Sequence, residues 1–364
     1  MTYDPREFTG LRRRDFLRYL VMAGLAACGG RAGVDTTGGP GTTAGSGPST
    51  TIGAPDIKFE EPTVPLSGEL RILLWSHFVP AHDEWFDPFV QQWGQEVGVD
   101  VTVDHITVAE IPARISAEIS AGEGHDLIQY IAPLSQFEPS VVDMKDVTEE
   151  ASRRWGEQVA ICQRSSYNPN TDKYYAYCPG WVPDPGNYRR SLWETAGLPD
   201  GPTTWDELLE YGSKIYSEQG VQMGIGMSQE IDSNMAGRAL LWSFGASIQD
   251  ENENVVINSE ETIRAVEYMR DLFEGAMTDE VFAWEAASNN EGLIAGQLSY
   301  ILNSISAYRT SQEANPEVAA DTFFSAALEG PADRMVATHV MYNWIIPNHA
   351  QNVDAAKEFL LHYT

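Results

Sequence analysis

Hydrophobic and polar residues follow two different periods along the chain, and segments of the two kinds alternate. An apolar run over Glu69–Trp75 predicts a buried strand, and strict alternation over residues 99–103 predicts a second strand. Apolar residues recur at helical spacing over residues 89–97, and isoleucines repeat at every fourth position over residues 111–119. A third strand is predicted at residues 126–128. Strands that alternate with helices in this order are typical of a parallel sheet covered by helices.

Three short strings predict where helices begin. Asp87 followed by Pro88 offers a cap and a proline at the first helical position. Thr204 with Glu207 three positions later fits a capping box, and Ser259 precedes two glutamates that suit the positive end of a helix dipole. Later apolar runs predict two strands and a last helix, at residues 298–302, 340–346 and 353–362.

The first 27 residues resemble an export signal. A basic stretch at residues 12–18 precedes an apolar run at residues 19–27, which is too short to cross a hydrocarbon layer that needs about 20 residues. The basic stretch resembles a twin-arginine signal. The run ends in Leu25-Ala26-Ala27-Cys28-Gly29, which resembles a bacterial lipobox whose cysteine is acylated and becomes the mature N-terminus. The alternative is a general export signal with a chance cysteine.

A linker is predicted after Cys28. Of the 27 residues from Gly29 to Pro55, 20 are Gly, Pro, Ser or Thr, and they show no periodic apolar pattern. Such a composition favours a flexible spacer, here over residues 28–65, although a glycosylated stalk has a similar composition. We therefore expect the folded body to begin near Leu66.

Composition excludes several classes of function. Acidic residues number 53 against 23 Lys and Arg, so the formal net charge is −30 and the field of the protein repels nucleic acid.

A chain of 364 residues exceeds one ordinary domain, and we expect two domains. The sequence has no Cys-x-x-Cys pair, no His-Glu-x-x-His and no phosphate-binding glycine loop, so we expect neither a metal nor a cofactor.

Two cysteines remain once Cys28 is assigned to the lipobox. In an exported protein, Cys162 and Cys178 most simply form one disulfide, which would close a loop around Tyr174 and Tyr175. The alternative is a pair of buried free thiols.

The order of elements and several local strings resemble the extracellular solute-binding proteins of ABC transporters, in their large sugar-binding branch. The matching strings are Trp75-Ser76-His77, Ala121-Gly122-Glu123-Gly124-His125-Asp126, Thr203-Thr204-Trp205-Asp206-Glu207-Leu208, Gly296-Gln297-Leu298 and Ala355-Ala356-Lys357-Glu358-Phe359-Leu360. The resemblance departs in two places. The family usually has proline where His125 stands, and its members usually continue beyond the helix that ends here at Thr364.

The resemblance implies an α/β architecture of two lobes, a periplasmic-binding-protein-like fold of type II with a ligand cleft between the lobes. Residues 66–180 and 298–364 would build the first lobe, and residues 181–297 the second. The chain would cross between them near residues 175–183 and 296–302. Closure would be a hinge motion that ligand stabilises, because only the closed form lets both lobes touch it.

Aromatic residues on irregular segments are candidates for ligand contact. Trp181 lies in Pro179-Gly180-Trp181-Val182-Pro183, which predicts a rigid loop without regular structure. At a lobe crossing, such a ring is placed to stack on the C–H face of a sugar. Trp284, with two asparagines close behind it, is a similar candidate, and Trp242 and Trp344 are further ones.

Polar candidates follow from their positions at strand ends. Ligands of open α/β sheets bind outside the carboxyl ends of the strands, and Asn and Gln offer both donors and acceptors to a hydroxyl-rich ligand. Asp184 and Glu230 can each accept hydroxyl protons. The residues that leave or interrupt predicted strands are His77, Phe78, Gln129, Tyr130, Asn303, Tyr342 and Asn343. For each of them an ordinary capping or solvated role is the alternative.

The sequence therefore predicts an exported, lipid-anchored and monomeric protein that delivers a carbohydrate to the permease subunits of an ABC importer and catalyses nothing. A polyamine is the alternative ligand, since acids with aromatics also suit a cation. A secreted glycosidase is the alternative from another class, because it would share the aromatics and the carboxylates. Product formation would distinguish the glycosidase from a binding protein.

Overall fold

The computed structural model describes residues 57–250, 252, 254–335 and 340–364 of the chain. The strands are β1 (Glu69–Trp75), β2 (Asp100–Ile106), β3 (Leu127–Tyr130), β4 (Tyr167–Asn168), β5 (Lys173–Tyr174), β6 (Trp181–Val182), β7 (Gly186–Arg189), β8 (Gln222–Gly224), β9 (Leu298–Leu302), β10 (Thr322–Ser325), β11 (Val340–Met341) and β12 (Asn343–Ile345). The helices are α1 (Pro80–Val97), α2 (Ile111–Ala121), α3 (Lys145–Trp155), α4 (Ala160–Ser166), α5 (Arg190–Ala196), α6 (Trp205–Gln219), α7 (Ile231–Ser243), α8 (Glu260–Ala276), α9 (Ser288–Ile294), α10 (Ser306–Ala314), α11 (Pro316–Asp321) and α12 (Val353–Tyr363). Turns of 3₁₀ helix lie at Val108–Glu110, Ser135–Ser140 and Asp279–Phe282. The predicted signal, Cys28 and most of the predicted linker lie outside the described residues.

The first sheet has the strand order β12-β3-β1-β2. β1 pairs in parallel with β2 and β3, and β12 pairs antiparallel with β3. Alternate residues of β1 face two different cores, as the period of a strand requires. Ile72 and Leu74 pack with the apolar faces of α1 and α12, whereas Leu73 and Trp75 pack with Ile115 of α2.

The second sheet has the strand order β10-β7-β9-β8. β9 pairs in parallel with β8 and antiparallel with β7, and every residue of β9 is buried. Tyr300 and Leu302 belong to the core formed with α5, α6, α7 and α8. Leu298 and Ile301 face a smaller core that contains Leu293 of α9.

The return of the chain to the first sheet differs from the expectation. Residues 298–302 were expected to begin that return, but β9 is buried on both faces within the second sheet, where β7 and β8 satisfy its backbone. The chain returns instead through β11, which pairs antiparallel with β6 and matches Met341 to Trp181. The two segments that connect the sheets therefore form one short ribbon.

Some predicted ends of strands and helices are confirmed by the structure, and one is wrong. β1 and β9 have the predicted bounds, and the Thr204 hydroxyl accepts a hydrogen bond from the Glu207 N–H at 3.0 Å as a helix cap. The predicted start at Asp87 is wrong. α1 begins at Pro80, which takes the first helical position, and Pro88 lies inside the helix.

The predicted linker ends too late, because the residues just after Ile57 are already part of the folded body. The ring of Phe59 lies 5.4 Å from that of Phe89 on α1, centroid to centroid. The backbone N–H of Thr63 donates to the carboxylate of Glu358 on α12 at 3.0 Å. The composition of this segment hides these contacts, since single apolar residues among polar ones carry no period.

Candidate functional site

A cavity of about 930 Å³ lies between the two sheets. From the first sheet it is lined by the residues that follow β1, β2 and β3. From the second sheet it is lined by the segment between β8 and α7, by the first half of α7, and by residues 282–287. The carboxyl ends of parallel strands are where ligands of open α/β sheets bind.

Four of the predicted residues line this cavity, and they come from both sheets. Phe78 follows β1 and Tyr130 ends β3, while Glu230 and Trp284 lie on the opposite wall. The ring of Trp284 is half-buried and packs against the cores of the second sheet. Burial raises the pKa of the Tyr130 hydroxyl, so this group is a neutral donor and acceptor at neutral pH.

Glu230 serves as the cap of α7. Its carboxylate accepts the N–H of Asp232 at 2.6 Å, and it also accepts the N–H and the hydroxyl of Ser233. Burial is the largest influence on this carboxyl and raises its pKa, although the hydrogen bonds from Ser233 and the backbone act in the opposite direction. The cap orients the first turn of α7 at the cavity wall.

Among the lining residues that were not predicted are Asn234 and Arg238. They follow Glu230 at intervals of four, which places all three on one side of α7. Both side chains are exposed in the structure. The spacing of four is visible in the sequence. It indicates a shared side only if the segment is a helix, and no helix was predicted there.

His77 lies beside the cavity, and its imidazole forms a hydrogen bond with the hydroxyl of Tyr342. The backbone N–H of Val79 donates to Nδ1 of His77 at 2.9 Å, so Nε2 carries the proton and faces the Tyr342 hydroxyl at 3.4 Å. The imidazole stacks on Trp75 and on His82, with ring centroids 4.6 and 4.3 Å apart. Burial, together with the nearby charge of His82, lowers the pKa of His77 to about 4, and burial raises that of Tyr342 to about 12. Neither residue contributes to the lining of the cavity described above.

Three predicted amide residues turn into the protein rather than into the cavity. Gln129 accepts the indole N–H of Trp75 at 3.2 Å, and Asn343 accepts the hydroxyl of Ser165 at 3.3 Å. Asn303 donates to Asn289 at 3.0 Å, within a buried polar network. A polar side chain at the end of a strand is equally suited to join neighbouring segments, and these three do so.

Trp181 and Asp184 also lie away from the cavity lining. Trp181 was expected on a loop without regular structure, but it belongs to β6 and 38% of its surface is exposed. Asp184 is fully buried.

Cys162 and Cys178 are free thiols in the structure, in contrast to the predicted disulfide. Both are buried, and they pack together with Met341 of the ribbon. The thiol of Cys178 donates to the carbonyl of Gly180 at 3.2 Å. The interaction between the two neighbouring thiols, together with burial, raises the pKa of Cys178, and the same interaction lowers the pKa of Cys162.

Within residues 57–250, 252, 254–335 and 340–364, no group of three or more His, Cys, Asp or Glu is arranged to hold a metal ion. Over the same part of the chain, no helix combines the length and apolar character needed to span a membrane.

Comparison with protein families assigns the chain to one of them. Residues 85–364 match the model of the bacterial extracellular solute-binding proteins. The chain belongs to this family. Because the family is extracellular, this solute-binding protein is exported.

A curated relative supports the assignment over a shorter stretch. A binding protein of Brucella abortus is 25% identical to this solute-binding protein over 92 residues, which make up 25% of the chain and 22% of the relative. The match therefore spans about a fifth of the relative's length.

Solved structures share the fold over most of the chain. The maltose-bound MalE3 of T. maritima is 20% identical, with a TM-score of 0.69, and the match covers 81% of this chain and 76% of that one. A ribitol complex from Agrobacterium radiobacter K84 is 18% identical with a TM-score of 0.68, covering 81% and 76%. A sugar transporter protein from Arthrobacter chlorophenolicus A6 with bound laminaribiose is 17% identical with a TM-score of 0.65, covering 81% and 75%. At this level of identity the likeness establishes the two-lobed α/β binding-protein fold.

Proposed function

We propose that this solute-binding protein is the substrate-binding component of an ABC importer and that it binds a carbohydrate between its two sheets. The observation that carries the proposal is the lining of the cavity, where aromatic and neutral polar groups from both sheets face one space. An aromatic face packs on the C–H groups of a sugar ring, while neighbouring polar groups bond its hydroxyls. The maltose, ribitol and laminaribiose in the structural neighbours support the same ligand class.

Contacts across the cavity support binding by hinge closure. The hydroxyl of Thr310 on α10 donates to the carbonyl of Phe78 at 3.1 Å. Ile231 and Ala286, from the second wall, pack against the same core as Phe78 and Tyr130. We propose that the parts of the chain built on the two sheets act as two lobes, with the β6–β11 ribbon as their connection. Ligand that touches both walls would stabilise the closed form.

Few of the carboxylates that line the cavity are free to bind the ammonium groups of a polyamine. Its lining includes the carboxylates of Glu110, Glu230 and Glu285. Glu110 accepts the N–H and the hydroxyl of Thr107 at 3.3 and 2.7 Å, and Glu230 caps α7. Two of the three carboxylates are therefore already engaged within the protein, and Arg238 adds a positive charge to the same lining.

Thermal melts with a panel of sugars and polyamines test the proposal. A ligand at about 100 times its Kd stabilises the protein by roughly 2.7 kcal/mol, which is a clear shift in melting temperature. We expect carbohydrates to raise the melting temperature and polyamines to leave it unchanged. Stabilisation by polyamines alone would overturn the choice of ligand. Sugar that is bound and then released as a hydrolysed product would identify a glycosidase instead.

We further propose that the exported protein is held at the membrane by acylation of Cys28 and acts as a monomer with its permease subunits. The lipobox-like string before Cys28 supports this proposal. A Cys28→Ala variant should appear in the soluble fraction outside the cytoplasm, whereas the unmodified chain stays with the membrane. A variant that still sediments with membranes would contradict the anchor.

A further inference from the structure

A second cavity, of about 650 Å³, also lies between parts of the chain built on the two sheets. Pro133 and Arg164 line it from the first sheet, and Trp242 and Met335 line it from the second. Met341 of β11 forms part of the same lining. The lining is therefore largely apolar, with one tryptophan and two residues of opposite charge, Arg164 and Asp333.

The two cavities share both of their walls. On the first wall, Ala132 lines the first cavity and Pro133 the second, and consecutive Cα atoms lie about 3.8 Å apart. On the second wall, Asn234 and Arg238 line the first cavity and Trp242 lines the second. Because these three residues are spaced by four, they occupy one side of α7, and eight residues of helix span about 12 Å.

We infer that the two cavities are halves of one cleft and that the ligand is a linear oligosaccharide of two or more rings that lies along α7. The inference rests on the proposed function and adds the length and direction of the ligand. A volume of about 300–1,000 Å³ holds a whole drug-sized molecule, and each half falls in that range. One sugar ring would leave most of the cleft filled with water.

The lining of each half includes a tryptophan and an arginine. Trp284 serves the first half and Trp242 the second, and both rings are half-buried. Arg238 projects from α7 toward the first half, and Arg164 reaches the second half from α4. Aromatic faces and polar groups that line one groove match the C–H faces and hydroxyls of a chain of sugar rings.

Calorimetric titration with sugars of increasing length tests the inference. The probes are glucose, galactose, mannose and xylose together with their linear oligomers of two to five rings. We expect Kd to fall by about tenfold or more between one ring and three, since each well-packed aromatic contact adds a comparable increment. Trp242→Ala should weaken binding of three-ring sugars about tenfold, and far more than it weakens binding of single rings.

Arg164→Ala tests the same half of the cleft without disturbing a core. Its side chain is exposed, so the variant should fold normally and lose affinity chiefly for the longer sugars. Gln163→Ala is the matched control, because Gln163 is also exposed on α4 but does not line the cavity. Its Kd values should equal those of the unmodified protein at every length.

The outcomes separate this inference from the proposed function. A single ring or a polyol that binds as tightly as every longer sugar would overturn the oligosaccharide inference and leave carbohydrate binding intact. Equal losses for all lengths in Trp242→Ala and none in Arg164→Ala would also overturn it. Failure of every sugar to bind would overturn the proposed function itself.

Discussion

Replacement of Asp126 by asparagine should destabilise the first sheet more than its small size suggests. The carboxylate is buried and accepts three backbone N–H groups. One oxygen accepts from Arg71 on β1 at 2.9 Å, and the other accepts from Gln351 and Asn352 at 2.6 and 3.2 Å. Asp126 thus joins the start of β3 to β1 and to the segment that begins α12.

The magnitude follows from those three hydrogen bonds. In Asp126→Asn, one side-chain oxygen becomes an NH₂ group, which must then face a backbone donor. A hydrogen bond to a charged group contributes about 1.5–3 kcal/mol, and the bonds that survive lose the charge that strengthens them. We expect a loss of about 2–4 kcal/mol in the free energy of unfolding, or a fall of about 1 M in the urea midpoint with an unchanged slope.

A matched surface variant makes the measurement decisive. Asp100 begins β2, and its side chain is exposed, so Asp100→Asn should change the free energy of unfolding by less than about 0.5 kcal/mol. An Asp126→Asn protein with the same midpoint as Asp100→Asn would refute the argument from the three hydrogen bonds.

Three further predictions concern the ligand, pH and salt. Trp284→Ala should weaken sugar binding by about 5- to 150-fold in calorimetric titrations, whereas Trp181→Ala, which lies outside the cavity lining, should bind normally; the reverse result would place the site elsewhere. Burial opposes ionisation of His125, but its hydrogen bonds to Glu118 at 2.7 Å and Asp104 at 3.0 Å raise its pKa above the ordinary value of about 6.5. The resulting stabilisation is complete below about pH 6.5 and is lost as the pH rises through the folded-state pKa, so the urea midpoint should fall across that window in the unmodified protein but not in His125→Gln. Because the formal net charge is −30, the melting temperature should rise as NaCl increases from about 0.01 to 1 M and the Debye length falls from about 30 to 3 Å; a constant melting temperature would show that self-repulsion is unimportant.

Only some strands were predictable: β1 and β9 carry continuous apolar runs, whereas β7, β8 and β10 of the second sheet were not predicted. β1 and β9 were readable to the residue, and the positions of Phe78 and Tyr130 followed from the rule that ligands bind at strand ends. No local sequence pattern shows which strands pair with each other. β9 reads as a strand in either lobe, and only its pairing with β7 and β8 assigns it to the second sheet.

The second wall of the cleft was harder to predict, because α7 lacks a clean apolar stripe. Asp232, Ser233 and Ser243 occupy buried positions on this helix, so polar residues fall where the helical period requires apolar ones. The pattern therefore predicts no helix there, and the common spacing of Asn234 and Arg238 has no evident meaning.

The amide side chains of Gln129, Asn303 and Asn343 were expected to face the ligand, but they form hydrogen bonds within the protein. Sequence alone cannot distinguish a polar group that awaits a ligand from one whose partner is another part of the chain.

The packing of the segment after Ile57 has a mechanical consequence. Phe59 and Thr63 fasten this segment to α1 and α12, and Arg154 on α3 pairs with Glu60 at 2.9 Å. All three helices belong to the half of the protein built on the first sheet. Tension that arrives along the chain from its N-terminal side is therefore borne by the first sheet and never crosses the cleft. With the anchor proposed at Cys28, the proposed hinge motion would move the second sheet without pulling on the segment that leads to the membrane.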